Sequence, residues 1–211
     1  RGRRVFKKIH NPLAGSAFFA LILCVASTVA VAGTASADKA AAESKARDYF
    51  TNVELIDQNG QRLKFYDEVL KDNVVVISFI FTNCGGACPL MTRNLTMIRD
   101  MLPEHVRDEI NFISISLDPV RDTPAAMKEF AQTHDADQED WLWLTGKPDN
   151  VNLVTKKLGT YTDELEAHTT MLIAANVRES HWTKIPPNVP PNGVAAAAPL
   201  GIALLWLLGV A

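Results

Sequence analysis

An apolar run over residues 74–81 leads directly into the polar loop Thr82-Asn83-Cys84-Gly85-Gly86-Ala87-Cys88-Pro89, and an amphipathic stretch follows at once. Apolar without alternation, the run reads as a strand buried on both faces. Cys88 precedes a proline, which is favoured at the first helical position because its missing N–H would be unpaired there. The order is therefore strand, cysteine loop, helix, with both sulfurs at a helix N-terminus. Unpaired amides and the positive end of the dipole favour a thiolate there, below the usual thiol pKa of about 8.5. Two sulfurs four residues apart can close on one soft metal ion or on each other as a disulfide, and the spacing alone does not choose.

The rest of the chain builds around that unit. Residues 53–56 and 62–65 flank Asp57-Gln58-Asn59-Gly60-Gln61, where Asn59-Gly60 predicts a type I′ hairpin. Residues 65–70 predict a helical turn. Met91, Leu95, Ile98 and Leu102 recur at helical spacing before Pro103, and Met91 and Met97 both read as core. A second buried strand, 112–117, leads into Asp118-Pro119-Val120-Arg121-Asp122-Thr123-Pro124, where Thr123-Pro124 caps a further helix. A strand over 141–144, with Trp141 and Trp143 in the core, precedes a helix over 149–158. The strand at 169–174 pairs with 178–185 through a turn at Asn176. Alternation of strands and helices predicts an α/β domain with a central, mostly parallel sheet flanked by helices.

Residues 1–37 hold five basic and no acidic residues, with an uncharged run from 11 to 37 that ends in Ala35-Ser36-Ala37. They predict a signal peptide or an N-terminal membrane anchor, with the bulk of the chain on the exported side of the membrane, the periplasm or its equivalent. Cys24, inside this run, reads as a small apolar filler. Residues 38–50 read as a tether, 51–190 as the folded domain, and 191–211 as an apolar C-terminal segment of near-spanning length, a second membrane helix or a helix packed on the sheet. All 24 acidic residues and all but five of the 21 basic ones lie beyond residue 37, leaving that part at a net charge of −8. Nucleic acid is a poor partner for such a surface, and a basic protein is an acceptable one.

Ligands of open α/β sheets gather at the carboxyl ends of parallel strands, the edge on which both the Cys84 loop and the Asp118 loop open. If the late strand runs antiparallel to its neighbours, it begins on that same edge and brings His168 there. Two thiolates and an imidazole suit Cu(I), and an imidazole also tolerates Cu(II). Zinc would accept the same donors but usually wants a fourth protein ligand in a structural site. His105, His134 and His181 sit in segments with no partner pattern. Asp118, Arg121 and Asp122 read either as a solvated loop and helix cap or as a charged surround to the site.

In order and spacing, the loop from Phe81 to Pro89, the segment Asp118-Pro119-Val120-Arg121-Asp122-Thr123-Pro124 and His168-Thr169-Thr170 resemble the Sco/SenC family of exported, membrane-tethered copper proteins. The resemblance covers about residues 53–185. It implies a thioredoxin-like fold, with copper held by Cys84, Cys88 and His168 and delivered to the binuclear copper centre of cytochrome c oxidase. The implied partners are the copper-accepting oxidase subunit and a copper donor or thiol-disulfide reductant. The chain departs from the family at Gly85, where proline is common.

Two functions of different class meet these residues. One is a metallochaperone, not an enzyme, that passes Cu(I) by ligand exchange. The other is a thiol-disulfide oxidoreductase in which Cys84 and Cys88 are the redox pair. Three residues between the cysteines widen the bite for a metal, and a redox pair has no need of His168. A structural disulfide stapling strand to helix would also explain the cysteines, leaving His168 idle.

Overall fold

The computed structural model describes residues 30–165 and 170–186. A hairpin of β1 (Glu54–Ile56) and β2 (Arg62–Lys64) opens the domain. Its turn is not the expected type I′, which needs positive φ at both central residues. Gly60 alone in the turn adopts it, at φ +81°. The Asp57 carboxylate sets the shape instead, accepting from the amides of Asn59 (2.9 Å) and Gln61 (2.7 Å). The helical turn that follows β2, Phe65–Leu70, is a single turn of π-helix.

The central sheet is built from β3 (Val74–Ile80), β4 (Ile110–Ser116), β5 (Trp141–Leu144), β6 (Leu172–Asn176) and β7 (His181–Ile185), in the spatial order β5-β4-β3-β6-β7. The first three run parallel, and the β6–β7 hairpin runs antiparallel against β3. Every residue of β3 and β4 is buried, including the polar Ser78, Asn111, Ser114 and Ser116.

Pleating sends alternate side chains into two cores. Val74, Val76 and Ile80 face α2 (Ala87–Met101) and α4 (Pro124–Thr133), among Cys88, Met91, Leu95, Ile98, Met127 and Phe130. Val75, Ile77 and Phe79 face the hairpin, the π-turn and α5 (Pro148–Lys157), among Leu55, Phe65, Val151 and Val154. Trp141 and Trp143 are stacked core residues, with ring centroids 5.4 Å apart. Met91 is core as well. Met97 is not: on the opposite face of α2 from Met91, Leu95 and Ile98, it is 49% exposed. Between α2 and β4 stands the short α3 (Glu104–Arg107).

Residues 38–50, read from composition as a tether, are helical and belong to α1 (Ala30–Phe50). Its last turns are docked on the domain. Arg47 pairs with Asp67, Glu43 pairs with Lys71, and the Phe50 ring stacks on Trp182 at 4.4 Å. Among the described residues no helix is long and apolar enough to cross a membrane. Residues 1–29, which hold Cys24 and most of the N-terminal apolar run, and residues 187–211 lie outside the described residues.

Candidate metal centre

The carboxyl ends of β3 and β4 lie side by side, with Ile80 paired to Ser116. From that edge the chain turns sharply after β3, and the Cys84 amide donates to the Phe81 carbonyl at 3.2 Å. Gly86 then occupies the N-cap of α2 and has no side chain with which to cap the first-turn amides. The Cys84 sulfur takes that place. The Cys88 amide donates to Cys84 Sγ at 3.4 Å, one helical turn on. No disulfide joins the two cysteines.

The sulfurs differ sharply in environment. Burial pushes the half-buried Cys84 thiol up, but the hydrogen bonds it receives from Cys88 and from the backbone at Cys88, Gly86 and Ala87 outweigh this, so its pKa lies below the usual thiol value. Cys88 is fully buried among the α2 and α4 core residues. Burial comes first in pushing its thiol up to about 12, assisted by its hydrogen bond to Cys84 and by the Cys84 and Asp122 charges. The sequence-based expectation of two favoured thiolates therefore holds for Cys84 only. The amides that stabilise a thiolate at this helix start converge on Cys84, three residues before the helix begins, whereas Cys88 is already inside its first turn and faces the core.

Asp122 ties the two site loops together. Nearly fully buried, its Oδ1 accepts from the Thr82 amide (3.0 Å) and hydroxyl (2.6 Å), and its Oδ2 accepts from the Ser116 hydroxyl at 2.6 Å. Ser116 Oγ in turn accepts from the Asp118 amide at 3.0 Å, and Asp118 pairs with Arg121. Asp122 is thus a buried strut and not part of a solvated loop. Thr123 caps α4, its Oγ1 accepting from the Ala126 amide at 3.2 Å.

A cleft of about 330 Å³ opens beside Cys84, walled by Thr82, Pro89, Ala126, Phe130 and His134 among others. His134, which carries no motif in the sequence, is thus brought to the same cleft as Cys84. His105 is exposed on α3, and His181 is exposed at the start of β7 beside Glu179. His168 lies outside the described residues. Among the described residues no three His, Cys, Asp or Glu side chains are grouped so as to hold a metal ion.

The SCO1/SenC family model matches residues 41–197, from the last turns of α1 through the whole sheet. The chain belongs to the SCO1/SenC family. Among its SCO relatives, it is 36% identical over 110 residues to the SCO2-like protein RC0895 of Rickettsia conorii, covering 52% of this chain and 51% of that protein. It is 37% identical over 90 residues to the SCO1 protein homolog of Bacillus subtilis, covering 43% and 45%. The chain spans about half the length of these curated relatives. Two solved SCO structures share the architecture at 27% identity. The SCO1/SenC family lipoprotein of Bacillus anthracis superposes with a TM-score of 0.60 over 68% of this chain and 89% of that one. Bradyrhizobium japonicum ScoI, solved with copper bound, superposes with 0.57 over 68% and 92%. The fold is thioredoxin-like, as the three separated motifs implied.

Proposed function

We propose that this chain is a metallochaperone that holds Cu(I) between Cys84, Cys88 and His168 and passes it to the copper-accepting subunit of cytochrome c oxidase during assembly. The observation that carries this reading is the cysteine pair itself, one helical turn apart with Cys84 lining a cleft and Cys88 buried behind it, in a chain of the family to which the copper-bound B. japonicum protein belongs. Two thiolates and one imidazole form a soft, low-coordination set that suits Cu(I) and leaves a side open for ligand exchange. The direction of β6 supports the third ligand. It runs antiparallel to β3, with Ile173 opposite Ile77, so the chain reaches Leu172 from the edge where the Cys84 loop emerges. His168 stands four residues before Leu172.

Copper is cargo here. Loading requires both sulfurs as thiolates, so the proton that burial keeps on Cys88 leaves as the metal arrives. The N-terminal segment, as anchor or signal, places the domain on the exported side of the membrane.

The test is an anaerobic Cu(I) titration against a competing chelator in a Cys24→Ser background. One-to-one binding that weakens in His168→Ala, with the fold intact, is the expected result. Affinity unchanged in His168→Ala removes that residue from the site, and stoichiometric binding retained by Cys84→Ser or Cys88→Ser rules out the cysteine site.

One observation favours a second reading, thiol-disulfide exchange. The accessible Cys84 has its pKa lowered and the buried Cys88 has its pKa raised, which is the division of labour between an attacking and a resolving thiol. Absence of tight copper binding together with a measurable dithiol reduction potential would favour it.

A further inference from the structure

Two of the five methionines, Met97 and Met101, stand on the surface at 49% and 67% exposure, four residues apart in the last two turns of α2. Met91 and Met127 are buried, at 4% and 0%. Residues four apart on a helix are neighbours, with Cβ atoms about 5–6 Å apart. A methionine side chain has three rotatable bonds and a polarizable sulfur, so two of them can converge on one ion. Thioethers are soft donors that select Cu(I) over hard cations. The carbonyl end of α2 lies beside the pair and favours a cation. Arg99, between the two in sequence, is held by Asp140 (2.8 Å) and Asp100 (3.2 Å), and the exposed Arg93 lies one turn before Met97, on the side away from the carbonyl end.

We propose that Met97 and Met101 form a surface thioether site for Cu(I), separate from the cysteine pair, where an incoming ion is held weakly before the thiols take it. Nine and thirteen residues of helix put Met97 about 14 Å and Met101 about 20 Å from Cys88, too far to share one ion. The pair therefore acts by raising the local copper concentration on the helix that carries the cysteine site. Copper remains Cu(I) throughout. Two thioether bonds to the ion break, bonds to thiolate form, and the thiol protons pass to solvent. This transit role rests on the copper reading above, whereas metal binding by the pair does not.

The test uses the full chain labelled with ¹³C at the methionine methyls. With Cys24, Cys84 and Cys88 all changed to Ser, Cu(I) is added anaerobically with acetonitrile as carrier. The Met97 and Met101 methyl resonances are expected to move together and saturate at one equivalent, while Met91, Met127 and Met171 stay. The double variant Met97→Leu/Met101→Leu, which keeps apolar bulk and helix propensity, is expected to lose the response. No movement, or movement that does not single out this pair, overturns the site. With the thiols intact, the same double variant is expected to load copper several-fold more slowly and reach the same final affinity. Equal loading rates overturn the transit role. Failure of the unaltered thiols to load copper would overturn the copper reading and the transit role with it, and the methyl titration would still report on the pair separately.

Discussion

Asp122 accepts from both the amide and the hydroxyl of Thr82, at 3.0 and 2.6 Å, and so fixes the chain two residues before Cys84. The same carboxylate holds Ser116 at the end of β4, so the cysteine loop and the Asp118 loop move as one body. Replacing Asp122 with Ala leaves the Thr82 amide, the Thr82 hydroxyl and the Ser116 hydroxyl without their acceptor. A loss of about 3 kcal/mol is expected in urea unfolding. Asp122→Asn keeps the shape but turns part of the acceptor into a donor facing hydroxyls, and an intermediate loss is expected.

The two thiols should separate by pH. Alkylation of the native protein by iodoacetamide, followed residue by residue by mass spectrometry, should modify Cys84 with a midpoint below the ordinary thiol value. Cys88 should stay unmodified until the medium is strongly alkaline, since its thiol is pushed up to about 12. The sign for stability follows from the raised value. The folded state keeps the Cys88 proton where the unfolded chain, titrating near 8.5, has lost it. Stability from this group is complete below about 8.5 and falls as pH rises toward 12. Cys88→Ala should flatten that alkaline decline.

Gly85 offers a stabilising change. A Cβ there would meet nothing within 4 Å, and its φ lies outside the left-handed region. Gly85→Ala should raise stability by about 0.4–1 kcal/mol by restricting the unfolded chain, with both cysteines kept in place. A shift in the urea midpoint at unchanged slope is the measurement.

Thr123→Ala removes the oxygen that accepts from the Ala126 amide and should cost about 1 kcal/mol. Because Thr123 follows Asp122, amide exchange in the first turn of α4 should rise before exchange in β4 does.

Phe50→Ala takes away the ring stacked on Trp182. Amides of residues 43–50 should exchange faster by an order of magnitude or more, with those of β3 unchanged, because the sheet core does not include Phe50.

Much of this architecture could be read from the chain. The runs ending at Ile80 and Ser116 are apolar at every position or carry only small polar residues, so their burial on both faces was written in composition. Pro89 and Thr123-Pro124 marked two helix starts because both residues act locally, through their own backbone geometry. What was not legible depends on distant partners. Asp122 reads as a helix-cap neighbour until the fold brings Thr82 within reach. Met97 falls near an apolar helical period, but at its rotation about α2 it meets no sheet. His134 acquires its place beside the Cys84 cleft only through the packing of α4 against the β3–α2 turn. Residues 38–50 lack a marked apolar stripe, so their helix is held by its terminal contacts and not by periodicity.

Gln58, in the first hairpin, is 5% exposed and lies along the outer side of β5, donating to the Trp141 carbonyl and accepting from the Trp143 amide, both at 3.0 Å. Ile56 and Thr145 continue the seal by exchanging backbone hydrogen bonds at 2.7 and 2.9 Å. One margin of the sheet is therefore stoppered by the protein's own side chain and backbone. Among the described residues the opposite margin, β7, pairs only with β6. With the β5 side sealed, a strand added to this sheet could join only on the β7 side.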